Sequence, residues 1–258
     1  MREVAERRKL RLKMNQSNLM EFEKEVNKMT KILHTSDLHG AYHKLLTQLE
    51  TVPDLSVWVD TGDFFPNKTR GTPIEHDYQR KWAIEWTKVT HRIAKICIDR
   101  NISVISVSGN HDYVSLANLL KISGMAASNV FDLSSATNST IVHGIKFAGF
   151  REIPWIVGEW AGETELAEFK DIINTAMAHN PDILVTHSPP GGILDNATDG
   201  GAWGVPAITS YLMNVPHNVK VHLFGHVHGD GGKQVFEGDI QFSNAASIHM
   251  GNIIEVNN

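Results

Sequence analysis

The sequence contains a single cysteine, Cys97, so no internal disulfide can form. Flanked by Ile96 and Ile98, it reads as a small core side chain. Long apolar runs are also missing: nothing approaches the roughly 18 residues needed to cross a bilayer. The first 29 residues lack the continuous apolar stretch of a secretory signal, so export is not expected. Nor is there an excess of positive charge. Lys plus Arg is 24 and Asp plus Glu is 29, a formal charge of −5, which implies no broad nucleic-acid-binding face. A cytoplasmic protein without a membrane partner is therefore expected. In that compartment the sequons at Asn67, Asn138 and Asn196 carry little meaning.

What is present suits one large globular domain: 258 residues, 41% of them hydrophobic. The expected division is an N-terminal extension, 1–29, and a domain over 30–258. The extension contains the basic stretch ERRKLRLK, and Leu19, Phe22, Val26 and Met29 fall at helical spacing. A helix laid on the domain's outside, a disordered basic tail and a natural start at Met29 are all compatible with it.

From Lys31 onward, strand and helix patterns alternate. KILHTS, DLSVWVD and ISVISVS read as strands, and AYHKLLTQLE and VSLANLLK as helices. A long helix is predicted from about His76 to Asp99, where Trp82, Trp86, Val89, Ile93 and Ile96 form one apolar stripe suited to core packing. The pattern then changes. STIVHGIKFAGF and KQVFEGDIQFSN read as antiparallel hairpins, with the helix TELAEFKDIINTAMA and the strands DILVTH and VKVHLFG between them. Parallel units followed by hairpins predict an α/β fold with two sheets packed together and helices outside.

The chemistry lies where the strands end. KILHTS runs into Asp37 and His39 within SDLHG; VWVD into Asp63 within TGD; VISVS into Asn110 and His111 within GNHD. Further on, ILVT runs into His187, and VHLF into His226 and His228 within GHVH. Five apolar strands thus end in metal-ligand or acid-base side chains, and sheet-based α/β proteins gather such groups at strand ends. A lone strand-end histidine is usually a structural, hydrogen-bonded residue. Repetition reverses that expectation, because so many half-buried imidazoles and carboxylates are costly without a shared cation.

SDLHG, GD, GNHD, THSPPGG and FGHVHG, in that order across Lys31 to Asn252, resemble the calcineurin-like metallophosphoesterase superfamily. The downstream half, ILVTHSPPGGILD, VKVHLFGHVHGDGG and FSNAAS, is more similar to its MPPED-type phosphodiesterases than to its protein phosphatases. The resemblance implies a four-layer fold, two mixed sheets flanked by helices. It implies two divalent metal ions, one held by Asp37, His39, Asp63 and His228, the other by Asp63, Asn110, His187 and His226. Asp63 would bridge them, and a bridging hydroxide would attack phosphorus. Nitrogen and oxygen ligands accept Mn²⁺, Fe or Zn²⁺, with Mn²⁺ favoured. His111 would lie beside Asn110 as the catalytic group, binding a phosphate oxygen or protonating the departing alkoxide. Asn110 and His111 are thus also the expected substrate contacts. His76, His91 and His179 lack strand-end context and read as surface residues; His34 and His222 fall inside strands and read as packing or supporting groups.

One departure bears on substrate. Protein phosphatases of the superfamily carry GDxxDRG, whereas this chain reads GDFFPNK, with Pro66 and Asn67 at the Asp and Arg positions and Arg70 out of register. Phosphoprotein hydrolysis loses support. The Gly-rich segment SPPGGILDNATDGGAWG after His187 is a candidate pocket wall, with Trp203 either stacking on a nucleobase or tucked into the core. The leading expectation is a phosphodiesterase for a small phosphoester, such as a cyclic nucleotide. A DNA nuclease, a phosphomonoesterase and a non-catalytic scaffold are the alternatives, the last weakened because all seven metal positions are filled.

Overall fold

The computed structural model describes residues 29–67, 73–85, 87–247 and 250–257. The extension's residues 1–28, Arg70 and Trp86 lie outside them. In chain order the elements are β1 (Met29–Thr35), α1 (His43–Thr51), β2 (Leu55–Asp60), α2 (Pro73–Glu85), α3 (Thr87–Asp99), β3 (Ser103–Ser106), α4 (Leu116–Ile122), β4 (Val130–Asp132), β5 (Ser139–Val142), β6 (Ile145–Phe150), β7 (Ile153–Pro154), β8 (Glu163–Thr164), α5 (Phe169–Met177), β9 (Ile183–Thr186), α6 (Pro206–Asn214), β10 (Val221–Phe224), β11 (Gln234–Glu237), β12 (Ile240–Asn244) and β13 (Asn252–Asn257).

Two mixed sheets organise the chain. The first runs β13-β1-β2-β3-β4 and the second β11-β12-β10-β9-β6-β5. Antiparallel partners sit at their edges: β13 beside β1, β11 beside β12, and β5 beside β6. All the other pairings within the two sheets are parallel.

The period-2 alternation of the strands decides which layer each side chain enters. In β2, Val57 and Val59 face the second sheet while Trp58 faces the helices; in β9, Ile183 and Val185 face inward and Leu184 outward. Ile32, Ile105, Phe147, Val221 and Leu223 complete the layer between the sheets. Outside the first sheet, Leu45 and Leu49 of α1, Trp82 of α2, Ile93 and Cys97 of α3 and Leu120 of α4 form one core. Outside the second, Phe169 and Ile173 of α5 pack with Ile208 and Leu212 of α6. The result is the expected four-layer arrangement of helices, sheet, sheet and helices.

The predicted stripe is core packing where it is described. Trp82 and Ile93 are buried, and Val89 and Ile96 pack against the same cluster. It is carried by two helices, α2 and α3, rather than one. Cys97 is buried and burial pushes its thiol up to about 12, so it is an inert core side chain.

Candidate metal centre

Beyond their last paired residues, the strands continue their hydrogen bonding into the loops, which fixes the loops against one another. After β1 and β2, Asp37 N–H donates to the Gly62 carbonyl (2.8 Å), His39 N–H to that of Asp63 (2.9 Å) and Gly40 N–H to that of Phe64 (3.1 Å). After β9 and β10, Gly225 N–H donates to the His187 carbonyl (3.0 Å). Asp37, His39, Asp63 and His226 all have positive φ, between 44° and 70°. Non-glycine residues avoid that region, and four of them in adjacent loops mark backbone held against its preference where side chains converge.

Asp63 sits at the centre. Its Oδ1 lies 3.6 Å from His187 Nε2, and its Oδ2 lies 3.8 Å from His39 Nε2 and 3.9 Å from His111 Nε2. One oxygen therefore faces each half of the cluster. On the first half, Asp37 Oδ1 is 3.3 Å from His228 Nε2, and Asp37, His39 and His228 offer ligand atoms all within 4.8 Å of one another. On the second, Asp37, Asp63 and His187 do the same. Asn110 Oδ1 lies 2.9 Å from His187 Nε2 and 3.0 Å from His226 Nδ1. All seven expected ligand positions, with His111 beside them, are brought together.

Two features fit a divalent cation. Asp37 Oδ1 is buried without a hydrogen-bond partner, although Oδ2 accepts from the Ser36 hydroxyl (2.6 Å) and the His226 N–H (2.8 Å). An orphaned buried carboxylate oxygen is expensive unless a cation takes it. The second is a question of tautomer. His187 Nδ1 lies 2.7 Å from the Thr61 carbonyl, which can only accept, so Nδ1 carries the proton. Burial lowers the His187 pKa, keeping the ring neutral and leaving Nε2 a bare lone pair. That lone pair faces Asn110 Oδ1, another acceptor, and a metal beside both would relieve the conflict.

The electrostatics agree. Burial, reinforced by Asp37 and Asp112, pushes the Asp63 carboxyl well above the usual carboxylate range. Burial also acts to raise Asp37, but the imidazoles around it, His228 foremost at 3.3 Å from Oδ1 and then His187 and His39, outweigh it and hold Asp37 low. Two desolvated carboxylates need positive charge, and the buried histidines, His226 lowered to about 3 among them, are neutral and ready to ligate.

Several supporting residues were not singled out from the sequence. Asp112, the last residue of GNHD, is buried; its Oδ2 accepts from the N–H of Asp63 (2.7 Å) and Gly109 (2.8 Å), and its Oδ1 from that of Phe65 (3.2 Å). It clasps the β2 loop to the β3 loop. Arg151 Nη2 donates to the carbonyls of Gly109 (2.8 Å) and Asp112 (3.0 Å). Gly62 and Gly109 let these loops touch, since a Cβ on Gly109 would overlap Asp63. The position of Asp112 within the motif was a signal; Arg151 had none in its local sequence.

A cavity of about 500 Å³ opens over this cluster, lined by His39, Asp63, Asn67, Asn110, His111, Ile156, Trp160, His226 and His228. His111 is placed by its N–H on Asp63 Oδ1 (2.8 Å), by Gln79, whose amide donates to its carbonyl, and by Trp160, whose ring meets it edge-on at 4.4 Å. Asn67 lies with Nδ2 3.0 Å from His39 Nδ1. Trp203 is 51% exposed, its indole N–H donates to Asp199 (3.4 Å), and it is not among the lining residues. The apolar wall instead comes from Ile156 and Trp160. His34 and His222 are buried strand residues bonded to Ser243, Thr61 and Thr186. His76 and His91 are exposed and His179 half-buried.

Comparison with known proteins bears on this arrangement of strand-end ligands. The calcineurin-like phosphoesterase family matches over residues 30–230. The chain belongs to that family. Calcineurin-like phosphoesterases normally bind divalent metals, which agrees with the clustered ligands. The chain is also 26% identical over 237 residues to UPF0046 protein K07C11.7 of Caenorhabditis elegans, covering 87% of this chain and 72% of that protein. Among solved structures, one aligns with a TM-score of 0.63 at 15% identity, covering 89% of this chain and 95% of the other. TT1561 of Thermus thermophilus aligns with a TM-score of 0.56 at 13% identity, covering 89% and 99%. At these identities the two structures share the fold. Among the described residues, no helix is long and apolar enough to cross a membrane.

Proposed function

We propose that this calcineurin-like phosphoesterase is a cytoplasmic, dinuclear metal-dependent phosphodiesterase of the MPPED-type group, acting on a small ester such as a cyclic nucleotide. The observation that carries the reading is Asp63, whose two oxygens face opposite halves of the ligand cluster. Asp37, His39, Asp63 and His228 would hold one cation, and Asp63, Asn110, His187 and His226 the other, with Mn²⁺ the favoured ion. When bound, two such cations polarise the phosphoryl group and acidify a water near neutral pH.

The chain's own groups do the rest. Hydrolysis forms one P–O bond to water oxygen and breaks the bond to the departing alcohol, which leaves with a proton. His111 has its pKa lowered to about 3, chiefly by burial, so it is neutral. Its Nδ1 is buried without a partner. Placing the single proton on Nε2 leaves only a lone pair stranded inside and aims an N–H into the cavity. That favours a hydrogen bond to a phosphoryl oxygen over full proton donation to the leaving group. Asn110 contributes beside it.

Diester over monoester is supported by the lining. Among the described residues around the cavity there is no Lys or Arg, and Asn67 occupies the position where the phosphatase pattern carries Arg. A phosphodiester carries one charge less than a monoester dianion and needs less cationic help. The same lining weighs against DNA, whose backbone calls for basic contacts. The test is hydrolysis of bis-p-nitrophenyl phosphate beside p-nitrophenyl phosphate by metal-stripped protein resupplied with Mn²⁺. Metal-dependent diester cleavage that exceeds monoester cleavage is the expected result; cleavage of the monoester alone overturns the reading.

A further inference from the structure

The cavity's apolar wall comes from a turn that is built rather than loose. The Glu163 carboxylate accepts three backbone N–H groups: those of Ile156 (2.9 Å) and Val157 (3.0 Å) on Oε1 and that of Trp160 (3.3 Å) on Oε2. β7 and β8 close its base, with Ile153 N–H donating to the Gly162 carbonyl (2.9 Å) and Trp155 N–H to that of Thr164 (2.9 Å). Gly158 has φ +81°, a backbone conformation that would strain any other residue, so glycine suits the closure of the turn. It is also fastened to the GNHD loop. Ala161 N–H donates to the Asn110 carbonyl (3.1 Å) and the Tyr113 hydroxyl to that of Glu159 (3.1 Å). An apolar wall is thereby tied to the backbone of a proposed metal ligand.

The chemistry of that wall is uneconomical unless it meets a ligand. Trp155 is 55% exposed, Ile156 43% and Val157 60%, three consecutive large apolar residues open to solvent, and Ile156 with Trp160 lines a cavity whose other lining residues are His, Asp and Asn. Ile156 and Trp160 face the cavity itself, on the side of His111. Such a surface offers a phosphoryl group nothing, but it suits a flat uncharged ring attached to one.

We propose that the turn Trp155–Trp160 is a subsite for an aromatic ester group of the substrate, with Ile156 and Trp160 the contacting residues and Glu163 the positioning residue. The proposal rests on the phosphodiesterase reading for the reaction, but its binding consequence can be measured separately. The experiment is calorimetric titration of the Mn²⁺-loaded full chain with phenylphosphonate and with methylphosphonate, which differ only in the ring. Phenylphosphonate should bind roughly tenfold more tightly, the order expected for one stacked ring. In Trp160→Ala that ratio should fall to near one through loss of phenylphosphonate affinity alone, and in Glu163→Gln it should fall part of the way. Should Trp160→Ala fail to fold, Ile156→Ser carries the same comparison. Equal affinity of the parent chain for the two phosphonates, or a preference that survives either wall substitution, overturns the subsite. A parent chain that prefers phenylphosphonate yet cleaves no diester keeps the subsite and loses the phosphodiesterase reading.

Discussion

At the residue scale, Asp63 and His111 separate holding metal from using it. Asp63 presents an oxygen to each half of the cluster, so Asp63→Asn removes charge from both. Losing even an outer partner of a metal ligand costs about 10–100-fold in affinity or activity. Asp63→Asn is expected to exceed the upper end of that range in turnover, with less than the parent's metal retained after dialysis, measured by elemental analysis. His111 lies 3.9 Å from Asp63 Oδ2 and is assigned no metal. His111→Ala should keep the metal content and lose roughly 100- to 1000-fold in kcat, the usual cost of one such donor. Metal loss from the His111 variant would refute its assignment as a non-ligand.

At the scale of elements, the loops are held by buried polar clasps rather than by apolar packing. Asp112 takes N–H groups from both the β2 and β3 loops, so Asp112→Ala strands four of them inside. At about 1–3 kcal/mol for each buried unsatisfied donor, the loss should be roughly 4 kcal/mol or more, read as a lower urea midpoint. Asp112→Asn keeps one acceptor oxygen and should recover part of it. An unchanged midpoint in Asp112→Ala would show that water replaces the clasp. The same distinction explains what was legible beforehand. Strands such as VWVD and ILVT announce themselves as apolar runs, and their terminal Asp, Asn and His residues gave the cluster. The three-residue β4 and the two-residue β7 and β8 are too short to carry a period, and PAITSYLMN and NIIEVN were not distinguished from loop although they form α6 and β13. The helix expected from Thr164 begins at Phe169 because Glu163 and Thr164 are spent on β8. Trp203 stood out in a glycine-rich loop, but the wall is made by Ile156 and Trp160, placed there by Glu163 and the GNHD backbone across a distance in sequence that no local pattern spans.

At the scale of the whole molecule, four layers bury imidazoles that have no part in the cluster. His222, on β10, lies against Phe224 and Phe242 outside the second sheet. The Thr186 hydroxyl spends its proton on the Ser188 carbonyl (2.6 Å), so it accepts from His222 Nε2 (2.8 Å). His222 Nδ1 is then a bare lone pair buried without a partner, and protonating it would place an unsatisfied N–H in the core. Burial accordingly lowers its pKa from 6.5 to about 3. As the pH falls below 6.5, the unfolded chain takes up a proton at this residue that the folded chain refuses until about 3. The unfolded state therefore binds more protons throughout that window. Stability from keeping His222 neutral is complete above pH 6.5 and is lost as the pH drops, by about 1 kcal/mol per pH unit. Other buried histidines titrate in the same direction, so a difference between variants isolates this one. His222→Gln can still donate to Thr186 but has no proton to gain. Its unfolding free energy, measured by urea titration between pH 7 and pH 4.5, should fall less steeply than the parent's, by about one proton's worth of slope. Parallel curves for the two proteins would mean that His222 is solvated or charged in the folded state, and that the core around β10 opens more readily than its packing implies.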